Sequence, residues 1–175
     1  MPDAHDDHID RLQAQWAREL PDVDTRGMEV LGRARRIVLQ SRPAIEAVFA
    51  RHGLDAGEFD VLSTLRRSGP PYALRPTELY RSLMISSGGL TDRLNRLTRS
   101  GMITRPPSPE DGRSLLVQLT DKGRDAAEAA LREDMGVEAA MLAPLTDAER
   151  KALADLLRKL ALGMEASSAP DNAEG

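Results

Sequence analysis

The 175-residue chain contains no cysteine, and only 3% of its residues are aromatic. Without thiols it can form no disulfide, no cysteine-ligated zinc site and no thiol redox switch. Its core must be aliphatic, and a hydrophobic content of 41% is enough to build one. No stretch approaches the ~20 consecutive apolar residues of a membrane-spanning helix. The acidic N-terminus lacks the basic and apolar regions of a signal peptide, so we predict a cytoplasmic protein without membrane association.

The sequence also lacks the local patterns of the common enzyme classes. It has no Gly-rich phosphate loop, no nucleophile elbow and no metal-ligand spacing. His5 and His8 lie close together beside two aspartates, but a solvated N-terminus explains this cluster better than a metal site. We therefore predict that the protein is not an enzyme and uses neither a metal nor a cofactor.

Positive charge is concentrated in the middle of the chain. The formal net charge is −4, but residues 61–120 hold nine arginines and four acidic residues. That segment therefore has a net charge of +5, which leaves −9 for the rest of the chain. A basic segment within an acidic chain is typical of a nucleic-acid-binding surface. Charge alone would be equally consistent with a solvated surface.

Apolar residues recur at helical spacing over most of the chain, which predicts a mainly α fold. Pro43 lies inside the second predicted helix and is expected to kink or split it. Thr120 is expected to cap the helix predicted over residues 121–142. Thr146 and Glu149 have the spacing of a capping box for the helix predicted over residues 147–164. The predicted helices span residues 6–20, 25–51, 56–68, 76–83, 87–101, 121–142 and 147–164.

A two-stranded ribbon is predicted to follow the pair of short helices. Its strands are expected at 102–105 and 115–120, with a very short additional strand at 72–74. Two short helices joined by a tight turn and followed by a ribbon form a winged helix-turn-helix. One helix of such a pair fits the major groove of DNA, and Arg113 near the ribbon tip can reach the neighbouring minor groove. The predicted regions are an N-terminal extension helix over 1–24, dimerisation helices over 25–55 and 121–166, a DNA-binding winged helix over 56–120, and a disordered tail over 167–175.

The second short helix has the amphipathic pattern expected of a recognition helix. Leu90, Leu94 and Leu97 form its core face. Small hydroxyl and amide side chains near a helix N-terminus suit base edges, and the N-terminus itself favours phosphate. An ordinary solvated polar face is the alternative, but the ribbon that follows favours DNA recognition. The residues expected to point away from the core are Ser87, Thr91, Asp92, Asn95 and Arg99, with Arg93 and Arg96 flanking them.

The stretch "DGRSLLVQLTDKG" resembles the wing signature of the MarR family of winged-helix regulators, D-x-R-x-x-x-V-x-L-T. The stretch "SSGGLTDRLNRL" is similar to that family's recognition helix, and the order of predicted elements fits over roughly residues 25–164. The resemblance implies that Arg113 is the minor-groove arginine and that Asp111 positions it. It also implies a set of residues that face the major groove. These are Ser86, Ser87, Thr91 and Asn95.

The MarR resemblance also implies a homodimer. The apolar stripes of the helix over 25–51 and of the last two helices independently exceed what a lone winged helix would bury. Two-fold symmetry implies a palindromic double-stranded operator with half-sites about one helical turn apart.

The N-terminal stretch "AQWARELPDVDTRGMEVLGR" resembles the urate-responsive, PecS- and HucR-like branch of the family. This resemblance implies that the present chain binds its effector through Trp16, Asp60, Arg67 and Arg105. Arg67 can bind a planar anion through a fork of donors, and Trp16 offers a flat surface and an N–H donor. The alternative to effector binding is that Trp16 only packs the extra helix, and that Asp60 and Arg67 take part in a surface or interhelix salt bridge. Other small anions such as carboxylates are possible effectors besides urate.

Together these patterns predict a dimeric transcriptional regulator, a repressor that a small anionic effector such as urate releases from a palindromic operator. The alternative is a winged-helix module that binds a ligand or a protein and does not bind DNA specifically.

Overall fold

The computed structural model describes residues 6–83, 89–109 and 114–168. These residues are mainly helical, with a three-stranded antiparallel sheet in the order β1-β3-β2, which confirms the predicted fold class. None of the helices in these ranges is both long and apolar enough to cross a membrane. The elements are α1 (His8–Glu19), a π-helix (Met28–Gly32), α2 (Arg33–Arg51), α3 (Ala56–Arg67), β1 (Ala73–Leu74), α4 (Pro76–Ser82), α5 (Leu90–Arg99), β2 (Ile103–Thr104), β3 (Val117–Leu119), α6 (Asp121–Met141) and α7 (Asp147–Ser168).

The long helix predicted over residues 25–51 begins irregularly and continues through Pro43 without a break. It begins as the π-helix, whose last residue leads directly into α2, and α2 continues through Pro43 to Arg51. Of the two predicted effects of Pro43, a split of the helix is therefore wrong, and a kink stays a prediction. Proline removes one backbone donor, but the neighbouring helical hydrogen bonds and the burial of Val48 and Phe49 later in α2 hold the helix together.

Helix α1 packs against the start of this long helix through one apolar and two ionic contacts. Ile9 is buried, and its side chain lies against Gly32, where an added Cβ would come within 3.1 Å of Ile9 Cδ1. Arg33 donates to Asp7 over 2.8 Å and to Asp10 over 2.6 Å. The hydrogen bond from the Asp10 backbone N–H lowers the pKa of Asp7 to about 2, and the hydrogen bond from Arg33 contributes less to the same effect. The extension helix predicted over residues 6–20 is thus present and docked.

Helix α3 lies at the centre of the first compact unit, which ends at Asp134. Asp55 caps its N-terminus and forms a capping box with Glu58. Its residues Val61, Leu62 and Leu65 are fully buried. Burial of a leucine or valine side chain stabilises a fold by about 1.5–3 kcal/mol, so this face anchors the unit. Aliphatic residues from the surrounding elements complete the core: Leu79, Leu94, Leu97, Ile103 and Val117.

The ribbon is present, with shorter strands than predicted. β2 pairs with β3 in the register Ile103↔Leu119, and an isolated bridge joins Pro107 to Leu115 further along. β1 pairs with the other edge of β3, which makes the wing three-stranded. The predicted cap at Thr120 is confirmed, since its hydroxyl accepts the backbone N–H of Gly123 over 3.0 Å.

The second compact unit begins at Met135 and contains the end of α6 and all of α7. The predicted capping box is confirmed: the Glu149 carboxylate accepts the Thr146 N–H over 2.7 Å, and this bond lowers the pKa of Glu149. α7 continues to Ser168, so the predicted disorder is wrong for residues 167 and 168. Residues 169–175 lie outside the described part of the chain.

Candidate nucleic-acid interface and effector site

The recognition helix α5 separates an apolar face from a polar face, as its sequence pattern predicts. Gly89, the residue before the helix, has a φ of +74°, a left-handed conformation that glycine adopts without strain. Leu94 and Leu97 are buried against the core. A row of polar side chains on the other side is exposed, at helical intervals that align them along one face. These are Thr91, Asn95 and Arg99.

The two flanking arginines of α5 have different surroundings from that exposed row. Arg96 donates to Glu58 over 2.8 Å and to Asp55 over 2.6 Å. Arg93 is half-buried, and its guanidinium lies against Gly57. Both side chains thus lie against the first turn of α3, so the structure does not group them with Thr91, Asn95 and Arg99. Their predicted role as DNA contacts stays a prediction.

Four of the predicted DNA contacts, Ser86, Ser87, Asp111 and Arg113, lie outside the described residues. The structure does describe the ribbon on both sides of Asp111 and Arg113. Beyond the Pro107–Leu115 bridge, the Ser108 N–H donates to the Ser114 carbonyl over 2.8 Å. This bond keeps the two arms of the ribbon together up to the segment that contains Arg113.

Helix α3 carries two of the four predicted effector residues. Asp60 is buried, with 6% of its surface exposed. Arg67 lies at the exposed C-terminal end of the same helix, where it donates to the Thr64 hydroxyl over 2.7 Å and to the Ser82 carbonyl over 2.8 Å. Because Ser82 is the last residue of α4, Arg67 links the end of α3 to the end of the helix that precedes the recognition helix. Sequence patterns did not reveal this link.

The other two predicted effector residues lie on separate elements. Arg105 follows β2, and its Nε is buried without a hydrogen-bond partner in the described ranges. Trp16 lies on α1 with 46% of its surface exposed. No hydrogen bond or ring contact between described residues joins Trp16 to Asp60, Arg67 or Arg105.

A metal centre finds no support in the described part of the chain. No three His, Cys, Asp or Glu side chains there are grouped so that they could hold an ion. His5, the first residue of the weak histidine cluster, lies outside the described residues. His52 is half-buried and pairs with Glu133 over 2.8 Å, which joins the end of α2 to α6.

Two short helices, a three-stranded wing and an exposed polar row on the second helix define a winged helix-turn-helix DNA-binding domain. The MarR family profile matches residues 52–114 of this chain. The chain is 39% identical over 152 residues to the HTH-type transcriptional regulator PecS of Dickeya dadantii (strain 3937), a match covering 87% of this chain and 92% of PecS. The chain therefore belongs to the MarR family, and it is a DNA-binding transcriptional regulator and not an enzyme.

Solved structures give the same assignment. A MarR mutant from E. coli complexed with operator DNA superposes with a TM-score of 0.64 and 27% identity, covering 83% of this chain and 96% of that chain. BpsR of Bordetella bronchiseptica, whose DNA binding is regulated by 6-hydroxynicotinic acid, superposes with a TM-score of 0.63. It is 25% identical, and the match covers 79% of this chain and 98% of BpsR.

Proposed function

We propose that the protein is a homodimeric repressor that binds a palindromic operator and is released from it by a small, planar, anionic effector such as urate. The observation that carries this proposal is the exposed row of Thr91, Asn95 and Arg99 on α5, opposite the buried Leu94 and Leu97. Hydroxyl, amide and guanidinium groups are the side chains that read base edges and phosphates. Arg113, with Asp111 to position it, is proposed to enter the minor groove, and Ser86 and Ser87 to face the major groove.

Exposed apolar side chains support the proposed homodimer. Along the π-helix and α2, Val30, Leu31, Ile37, Val38 and Leu39 are each more than half exposed in the single chain. On α7, Leu156, Leu162 and Met164 are exposed to a similar degree. Extended apolar surface of this kind is unusual on a monomer and is stabilised when a second copy covers it. We therefore assign 25–55 and 121–166 to dimerisation, with 56–120 as the DNA-binding domain.

The chemistry of the candidate effector site supports an anionic ligand. The Nε–H of Arg105 is a buried donor without a protein acceptor in the described ranges, and buried donors of this kind usually find a partner. A planar anion such as urate or an aromatic carboxylate would supply one. The regulation of BpsR by 6-hydroxynicotinic acid shows that a related protein responds to a small heteroaromatic acid. Trp16 and Arg67 are proposed to complete the site.

Release from DNA is proposed to start at α3. An anion that binds Arg67 would compete with the Ser82 carbonyl for its donors, and so free the end of α4 that leads toward the recognition helix. An anion near Asp60 would also repel that carboxylate and shift α3. Both effects favour a conformation with lower affinity for the operator, which is the differential interaction that an allosteric effector requires.

Operator binding is tested by gel shift of the purified protein with the DNA upstream of its own gene, at a stated salt concentration. We expect a complex that survives an excess of nonspecific DNA and that contains two chains per site by sedimentation. A complex that nonspecific DNA competes away equally well would instead favour the alternative, a winged-helix module that binds a ligand or a protein.

The effector site is tested with Trp16→Phe and Arg67→Ala. Because Trp16 lies on neither α5 nor the ribbon, we expect Trp16→Phe to keep operator affinity within about threefold of the wild type, since exposed substitutions usually cost little. Arg67→Ala also removes the hydrogen bond to the Ser82 carbonyl, so it should weaken operator binding by itself. The concentration of urate or 6-hydroxynicotinic acid that releases DNA should rise about tenfold, because a charged hydrogen bond or a stacking surface is lost. A wild-type response in both variants would reject this site.

A further inference from the structure

The first turn of α3 and the recognition helix α5 are joined by a ring of charged hydrogen bonds. Asp55 and Glu58 form the capping box of α3, in which the Glu58 N–H donates to Asp55 Oδ1 over 2.7 Å. The Asp55 N–H in turn donates to Glu58 Oε2 over 3.0 Å. Each carboxylate offers its other oxygen to Arg96, whose Nε binds Glu58 Oε1 over 2.8 Å and whose Nη2 binds Asp55 Oδ2 over 2.6 Å. One guanidinium therefore binds both capping carboxylates.

A second arginine of α5 lies against the same turn of α3. Arg93 precedes Arg96 by three residues, so both lie on one edge of the helix. The Arg93 guanidinium occupies the space beside Gly57, where an added Cβ would lie 2.3 Å from Arg93 Cζ. A larger residue at this position would require the Arg93 guanidinium to move. Arg93 and Arg96 together fix one edge of α5 to residues 55–58.

The charges around Arg96 argue against a phosphate contact. Its single positive charge faces two carboxylates, and the hydrogen bond that Arg96 donates to Glu58 is the main cause that raises the pKa of Arg96. A phosphate that approached Arg96 would meet a local excess of negative charge and would have to displace a well-placed acceptor. Arg99 has no such constraint, because its Nε contacts only the Asn95 carbonyl of its own helix among the hydrogen bonds described.

We propose that Arg96 is a positioning residue for DNA recognition. With Asp55, Glu58 and Gly57 it sets the rotation of α5 on α3, so that Thr91, Asn95 and Arg99 face the groove. The inference rests on the proposed operator binding and deepens it. Because Asp60 follows Gly57 by about one turn on α3, a displacement of α3 by an effector would also reach α5 through these contacts.

The first test uses the DNA-free, full-length protein and measures amide hydrogen exchange in α5. The variants are Arg96→Gln and the double variant Asp55→Asn/Glu58→Gln, which keeps the capping oxygens while it removes the charges that bind Arg96. Arg99→Gln is the matched control. We expect exchange over residues 90–99 to accelerate about tenfold in Arg96→Gln and in the double variant, and to stay unchanged in the control. Wild-type exchange in both test variants would overturn the proposal.

The second test measures operator affinity as a function of salt concentration. Arg96→Gln and the double variant should each weaken operator binding about tenfold, without changing the salt slope, and their combination should be no weaker than Arg96→Gln alone. Arg99→Gln should make the slope shallower by about two, one for each subunit of the proposed homodimer. A shallower slope in Arg96→Gln, together with wild-type affinity in the double variant, would overturn the proposal and make Arg96 a phosphate contact. If the wild type forms no specific complex, operator binding is rejected, and the exchange data alone decide whether Arg96 positions α5.

Discussion

Replacing Arg113 with alanine is expected to weaken operator binding about 100-fold or more, with no measurable change in Tm. Loss of one specific arginine contact costs about 1–3 kcal/mol, and the proposed homodimer would lose two such contacts at once. The minor groove concentrates negative potential, so no other residue type replaces a guanidinium there without loss. The ribbon should stay folded, because backbone groups hold it together through the Pro107–Leu115 bridge and the Ser108–Ser114 hydrogen bond.

Arg132→Ala is the matched control for Arg113→Ala. Among the described residues, Arg132 on α6 makes only a long, exposed ion pair, with Glu128 at 3.7 Å, so the control removes the same charge away from the recognition helix and the ribbon. Titration of both variants with operator DNA at two salt concentrations separates a local contact from a change in net charge. Equal affinities for the two variants would contradict the assignment of the ribbon to the minor groove.

Much of the fold could be predicted because the signals that start and stop its elements are local. Thr120 caps α6, and Thr146 with Glu149 caps α7, through hydrogen bonds between residues three positions apart. Pro76 starts α4, and Gly53 adopts a left-handed φ of +71° after α2 ends. Each of these features depends only on one residue and on the backbone within a few positions of it. The local sequence pattern is therefore enough to predict it.

The features that sequence patterns did not reveal depend on contacts between distant parts of the chain. Arg96 has the spacing of a residue that flanks the recognition face, but its partners Glu58 and Asp55 lie about forty residues earlier. The capping box of Asp55 and Glu58 was not predicted, and its second use in binding Arg96 depends on how α5 packs on α3. Pro43 is tolerated inside α2 for a similar reason, because packing outweighs the loss of one backbone hydrogen bond.

Replacing Gly123 with alanine is expected to be strongly destabilising, although alanine is the better helix former. Gly123 lies in the first turn of α6, and an added Cβ would lie 2.0 Å from the Met102 carbonyl oxygen and 2.9 Å from its carbon. Both atoms belong to the backbone, so α6 would have to move away from the wing by about 1 Å. That movement would also break the bonds from the Thr120 N–H and hydroxyl to Met102 O, which measure 3.1 and 3.0 Å. Overpacking and the lost hydrogen bonds together should cost about 2–4 kcal/mol.

Gly136→Ala provides the matched control on the same helix. Apart from its chain neighbours and the backbone of its own helix, no atom of the described residues lies within 4 Å of an added Cβ at Gly136. The helix preference of alanine should therefore act alone there and stabilise the protein by about 0.5–1 kcal/mol. At one fixed protein concentration, we expect Tm to fall by about 5–15 °C for Gly123→Ala and to rise by about 1–4 °C for Gly136→Ala. Operator affinity should fall only for Gly123→Ala, because α6 begins directly after the ribbon. If both substitutions raised Tm, the close approach of α6 to the Met102 carbonyl would be wrong.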